Sequence, residues 1–240
     1  IEFSPAVSDS YPTGVVFSLS VDNERTFFSF RKNAADIHMT VQDIPDSSEY
    51  PDMLYLTGVS IVEGKETFET FVEVVKRAKI EGTKVFFDPN MRKTDRVSIS
   101  RIELLIPYVD VFLPARDELA IILSKSEKFR FCSDLIAAGV SDIWIKKGAE
   151  GCSLISGEKG FDFPAPNAHV IDCTGAGDAF NAAVVWGYAN ELEKKEIGVY
   201  ANVYAAISTE RIGAATSYPD KESMLKSKNY KSIRTGVKVS

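Results

Sequence analysis

Between residues 53 and 88 the chain spells out a strand, a helix and a second strand in succession, and this order restricts the fold more than any other feature of the sequence. Met53-Leu54-Tyr55-Leu56-Thr57-Gly58 is a short apolar run ending in glycine, the form of a buried parallel strand. From Glu66 to Ile80, Phe68, Phe71, Val72 and Val75 fall at i, i+3, i+4 and i+7, which predicts an amphipathic helix stopped by Gly82. Lys84-Val85-Phe86-Phe87-Asp88 then reads as a strand terminated by Pro89-Asn90. Such a unit crosses over right-handedly, so the sheet is expected to be mostly parallel, with ligands at the carboxyl ends of its strands. Asp110 to Pro114 reads as a further strand end, Phe129 to Ala138 as a helix stopped by Gly139, and Asp142 to Lys147 as the next strand. With 240 residues, 45% of them hydrophobic, one core is affordable, and residues 1–240 are expected to form a single α/β domain.

Chemistry is concentrated in Asp172-Cys173-Thr174-Gly175-Ala176-Gly177-Asp178-Ala179-Phe180-Asn181, ahead of a helix predicted from Ala179 to about Ala189. A small-residue turn at a helix start leaves N–H groups without intrahelical partners at the positive end of the dipole, a seat for an anion. Asp178 would repel a resting phosphate. It makes sense as a base that takes a proton from a hydroxyl while N–H groups of Gly175, Ala176 and Gly177 absorb phosphate charge. A structural Gly-rich loop with an Asp cap is the bland alternative. A dinucleotide fingerprint fails, because Phe180 stands where its third glycine belongs.

The remaining segments are less specific. Ile1 to Ser10 is weakly patterned and reads as a connector. Thr13 to Ser20 and Arg25 to Arg31, joined by Asp22-Asn23-Glu24, read as a β-hairpin. Asp88-Pro89-Asn90-x-Arg92 lies at a strand end, where a proline turn with a solvated arginine is the ordinary reading. Glu118 could be a simple helix-start carboxylate, and Lys146 a solvated strand-end lysine. Glu193 to Ile212 reads as a long helix carrying Asn202, and the charged tail 221–240 is expected to fray.

A net charge of −6 without a basic block argues against nucleic acid as a partner. No apolar run approaches a membrane span, and no signal peptide is evident. Cys132, Cys152 and Cys173 show no metal or C-x-x-C spacing, so reduced thiols in a cytoplasmic protein are expected. His38 and His169 are isolated and read as surface or loop residues.

The string Asp172-x-Thr174-Gly175-Ala176-Gly177-Asp178-Ala179-Phe180 resembles the C-terminal signature of the ribokinase-like (PfkB) carbohydrate kinases. The resemblance implies a three-layer α/β/α fold with a small β lid, here residues 12–31. It also implies ATP and Mg2+, with Asp178 as base and residues 175–177 as anion hole. Arg25-Thr26-Phe27 to Phe30-Arg31-x-x-Ala34-Ala35-Asp36 is similar to a lid stretch of fructokinases and 2-keto-3-deoxygluconate kinases, making Arg31 a sugar-binding candidate and the hairpin a homodimer surface. Asp88-x-Asn90-x-Arg92 looks like a segment of the same enzymes in which the arginine reaches substrate or transferring phosphate. Family members carry Asn-x-x-Glu where this chain has Ala115 and Glu118, so only Glu118 is left to order water on magnesium. By the same resemblance Lys146, Gly148, Gly151, Thr174 and Asn202 are expected along the nucleotide, and Asp172 beside a monovalent cation such as K+.

One departure is large. Family members begin with a βαβ region holding substrate-binding residues ahead of the lid, and nothing here corresponds to it. Two expectations follow: a sugar kinase acting on a fructose or 2-keto-3-deoxygluconate type of substrate, or a truncated, non-catalytic relative that binds nucleotide or a partner. The missing strands would leave a sheet edge exposed.

Overall fold

In the computed structural model, which describes residues 7–21, 24–44, 50–91, 93–226 and 238–239, the strand–helix–strand order of the sequence becomes the parallel part of a seven-stranded sheet. Strands β3 (Met53–Thr57), β4 (Lys84–Asp88), β5 (Val111–Phe112) and β6 (Asp142–Lys146) pair in parallel, in chain order. From β6 the sheet continues as an antiparallel meander of β7 (Cys152–Ser156), β8 (Lys159–Phe163) and β9 (Lys238–Val239). Among the described residues β3 is an edge strand, paired only with β4.

Helices cover both faces. On one side α2 (Lys65–Ile80), α3 (Arg96–Leu105), α4 (Arg116–Lys125) and α5 (Cys132–Ala137) pack against Leu56, Val85, Phe87, Phe112 and Ile143. On the other, α6 (Ala176–Ala189), α7 (Lys194–Ser208) and α8 (Lys221–Lys226) pack against Phe86, Val111, Leu113, Trp144 and Leu154. Phe86 and Phe87 are fully buried but serve opposite layers, which is why β4 reads as an unbroken apolar run. Each such ring contributes about 1.5–3 kcal/mol of burial free energy. The helix α1 (Gly58–Glu63) follows β3 directly.

A separate two-stranded antiparallel sheet, β1 (Val15–Val21) and β2 (Glu24–Phe30), stands apart from this body. Val16, Phe17, Leu19, Phe28 and Phe30 on it are exposed.

Several boundaries differ from the sequence reading. Helix α6 begins at Ala176, three residues earlier than expected, because Gly175 takes a left-handed φ of 77° and turns the chain straight into it. Asp178 therefore lies inside the first turn and is not its cap. Helix α7 ends at Ser208 rather than Ile212, and α5 starts at Cys132 rather than Phe129. The tail expected to fray from residue 221 instead begins with α8, held by buried Met224 in the core and by Lys221 stacked 4.7 Å over the Trp186 ring. Among the described residues no helix is long and apolar enough to cross a membrane.

Candidate functional site: two cavities at the carboxyl ends of the strands

The turn 172–178 is tied down from two directions. Asp172 accepts the Thr174 N–H through Oδ1 (2.8 Å) and the Gly213 N–H through Oδ2 (2.9 Å), joining the turn to the segment after α7. The Tyr218 hydroxyl donates to the Gly175 carbonyl at 3.0 Å. Burial, and then the charge of Asp178, push the Tyr218 hydroxyl above its ordinary value, so it remains a donor at neutral pH. A side chain at Gly175 would meet Tyr218 Oη at 2.7 Å, and its φ is one that L-residues rarely adopt. The Ala176 N–H is spent on the Cys173 carbonyl (3.2 Å). The expected anion hole of residues 175–177 thus stands at the start of a 14-residue helix, where N–H groups project from the terminus.

Gly175, Gly177 and Asp178 line a cavity of about 300 Å³ together with Asp88, Asn90, Ala115, Glu118, Lys146 and Gly148. Its floor is a polar network across three strand ends. Lys146 Nζ lies 3.0 Å from Asp88 Oδ2 and 3.4 Å from Asn181 Oδ1. The Asn181 amide donates to Asp88 Oδ2 (2.6 Å) and to Tyr55 Oη (3.1 Å). Asp88 and Asn181 are almost wholly buried. Burial raises the Tyr55 hydroxyl above its ordinary value, and the neighbouring Asp88 charge raises it further. Asn90, whose N–H donates to Asp88 Oδ1 at 3.1 Å, is held at a positive φ of 34° by this turn.

Glu118 fulfils two roles at once. Its Oε2 accepts the Ala115 N–H (2.8 Å), closing the first turn of α4, and its Oε1 accepts the Met91 N–H (2.6 Å), pinning the 88–91 segment to that helix. Ala115 bridges Lys146 in parallel register, so the loss of an asparagine there leaves the backbone pairing in place. Among the described residues no group of three or more His, Cys, Asp or Glu could hold a metal.

A second, larger cavity of about 780 Å³ lies under β1 and β2, lined by Tyr11, Gly14, Arg31, Asp36, His38 and Thr57, among others. Arg31 is ion-paired with Asp36. His38 Nδ1 lies 2.9 Å from Glu66 Oε2, and its ring stacks on Tyr11 at 3.9 Å. His38 is thus a built part of this wall, where the sequence offered only an isolated histidine. The Cα of Gly58, next to Thr57, is so near Pro89 that a Cβ would sit 1.9 Å from the Pro89 carbonyl oxygen, so the end of β3 and the turn after β4 are packed backbone to backbone.

The structure gathers Asp178, Gly175, Gly177, Lys146, Gly148 and Glu118 around one cavity and Arg31 along the other. Ala176 and Thr174 belong to the turn between Asp172 and Asp178. Asn202 is not brought there. It is buried in α7, and its amide donates to the carbonyls of Phe163 (3.0 Å) and Pro164 (3.3 Å), so its contact is with the end of β8 rather than with a groove. Gly151 is also a packing position, its backbone pressed against the Phe163 carbonyl. Arg92 lies outside the described residues.

A family model described as pfkB family carbohydrate kinase matches residues 2–221. An uncharacterised sugar kinase of Archaeoglobus fulgidus is 30% identical over 175 residues, covering 72% of this chain and 67% of its own length. The fructokinase of Vibrio alginolyticus is 26% identical over 222 residues, covering 88% of this chain and 72% of its own. Among solved structures, an uncharacterised sugar kinase of Pyrococcus horikoshii in complex with ATP superposes with a TM-score of 0.76 at 28% identity, over 94% of this chain and 74% of that one.

Proposed function

Since the chain belongs to the pfkB family of carbohydrate kinases, we propose that it transfers the γ-phosphoryl group of ATP to a hydroxyl of a furanose-type sugar, with the nucleotide phosphates in the smaller cavity and the sugar in the larger. The observation that carries this reading is Asp178 set in the first turn of α6, at the rim of a cavity that also receives the helix amides. Asp178 takes the proton of the attacking hydroxyl. The hydroxyl oxygen bonds to the γ-phosphorus, the bond to the bridging oxygen breaks, and ADP leaves with that electron pair. The start of α6, with Gly177 in its first turn, would meet the oxygens on which charge is spread, with little reorganisation.

The lining of the smaller cavity carries three carboxylates, Asp88, Glu118 and Asp178, against one ammonium, Lys146, among the described residues. Magnesium bound to the nucleotide would supply the missing positive charge. Glu118 and the turn it pins form the wall nearest such an ion.

For the sugar, the ion pair between Arg31 and Asp36 matters most. The arginine is already matched by a carboxylate, and Asp43 adds another to the same lining. That balance favours an uncharged sugar over a keto-acid. The similar protein of Vibrio alginolyticus, a fructokinase, is consistent with this choice.

The test is ADP release from Mg-ATP with fructose, ribose and 2-keto-3-deoxygluconate, run beside Asp178→Asn. Turnover with a neutral sugar, lost in the variant while nucleotide binding is kept, is the expected result. Turnover retained by Asp178→Asn would remove the base from the mechanism.

A further inference from the structure

Lys146 occupies a position that neither the turn nor the base explains. Among the described residues lining the phosphate cavity it is the one cationic side chain, and it is only 15% exposed. Its Nζ sits beside the first turn of α6: a Cβ placed on Gly177 would lie 4.0 Å from it. The ammonium and the helix amides therefore face the same space.

We propose that Lys146 stabilises the charge of the phosphoryl-transfer step, contacting oxygens of the transferring γ-phosphoryl group, and that Asp88 and Asn181 are its positioning residues. This rests on the phosphoryl-transfer reading above. An ammonium has three donors. Two of them face Asp88 Oδ2 (3.0 Å) and Asn181 Oδ1 (3.4 Å), which leaves the third for a ligand oxygen.

The network fixes the direction of that third donor. Asn181 gives both amide hydrogens away, to Asp88 and Tyr55, so its carbonyl oxygen must turn towards the lysine. Asp88 in turn is anchored by the Asn90 N–H on its other oxygen (3.1 Å). Asp88 thereby holds the lysine at the cavity floor when no phosphate is present, and a flexible four-carbon stem lets Nζ lean towards one when it arrives. A contact with the γ-phosphoryl group would make the site prefer a triphosphate over a diphosphate.

A purely structural ion pair is the rival account, and removing one partner alone would leave a buried charge uncompensated. The informative variant is therefore the neutral double substitution Asp88→Asn with Lys146→Met, checked first by its melting temperature and circular dichroism. Calorimetry of the full chain with Mg-ATP and with Mg-ADP decides the matter without turnover. Wild type is expected to bind ATP more tightly than ADP. The folded double variant is expected to lose at least tenfold in ATP affinity while ADP affinity shifts by less than threefold. In the coupled assay, Lys146→Met should lower kcat by a hundredfold or more with the sugar KM unchanged. Asp88→Asn alone should lower kcat several-fold, again without moving that KM.

An unchanged ATP-to-ADP ratio in the folded double variant would overturn the assignment and leave a structural pair. Failure of wild type to bind either nucleotide would overturn it as well. If wild type binds ATP through Lys146 but phosphorylates no sugar, the phosphotransfer reading fails while the lysine's contact stands.

Discussion

Adding one methyl group at Gly177 should raise stability and abolish activity together. Gly177 is the second residue of α6, and a Cβ there would meet nothing nearer than Lys146 Nζ at 4.0 Å. No steric cost opposes the substitution. Replacing a helical glycine by alanine gains about 0.5–1 kcal/mol of backbone entropy. For a domain of this size that corresponds to a melting temperature higher by about 1–4 °C. The same methyl, however, occupies the space into which the amide and Lys146 both point. Losing one donor to a developing oxyanion costs about 10²–10³ in kcat, and a displaced phosphoryl group should cost at least as much.

Gly175→Ala provides the contrast. There the left-handed backbone costs about 1–2 kcal/mol, and the methyl would lie 2.7 Å from Tyr218 Oη and 2.9 Å from Ala214 Cβ. Overpacking adds about 1–3 kcal/mol, so the melting temperature should fall by about 5 °C or more. Differential scanning calorimetry and steady-state ADP release on the two purified variants read both quantities. A Gly177→Ala protein that is stable and retains wild-type kcat would show that the phosphoryl group does not sit at the α6 terminus.

Two further outcomes test other parts of the structure. Burial works against the charge on Glu103, but the Ser126 hydroxyl, the Glu127 N–H and the Arg96 charge outweigh it and hold the carboxyl below its ordinary 4.5. Its contribution to stability is therefore complete above that value and is lost as pH falls through the lowered one. Glu103→Gln should flatten the loss of stability below pH 4.5, read as urea midpoints across that range, and an unchanged acid limb would refute the assignment. At the sugar cavity, Asp36→Asn should remove a carboxylate that faces Arg31 and raise kcat/KM for 2-keto-3-deoxygluconate relative to fructose by about tenfold or more; no change in that ratio would show that the pair does not set the choice.

The layers of the fold were legible because each strand carries its own burial pattern: Phe86 and Phe87 announce a strand covered on both faces. The turn at 175–178 was legible because its glycines and its aspartate are contiguous. What could not be read is what depends on long separations. Asp88 was read in the segment leading to Arg92 and Lys146 along the nucleotide, with nothing to join the two, yet they lie 3.0 Å apart. Asn181 attracted no role at all, though 93 and 126 residues separate it from the partners that define it, Asp88 and Tyr55. Asn202, which the resemblance set along the nucleotide, has an amide that donates to the carbonyls at the end of β8, another contact across a separation that sequence does not reveal. The start of α6 was misplaced because propensity discounts glycine in a helix, and here tertiary ties from Asp172 and Tyr218 override it.

Those two ties also set the order in which the molecule can become competent. The Gly213 amide reaches Asp172 across 41 residues, and the Tyr218 hydroxyl reaches Gly175 across 43, with the whole of α6 and α7 between. Contacts of such separation form after local structure, since the closure entropy of the intervening loop must be met first. On a ribosome, β3 to β6 can pair and gather their helices while the turn that would grip a phosphate still lacks both fasteners. During synthesis the turn thus stays without both of its ties until residue 218 has emerged, well after the parallel strands are complete.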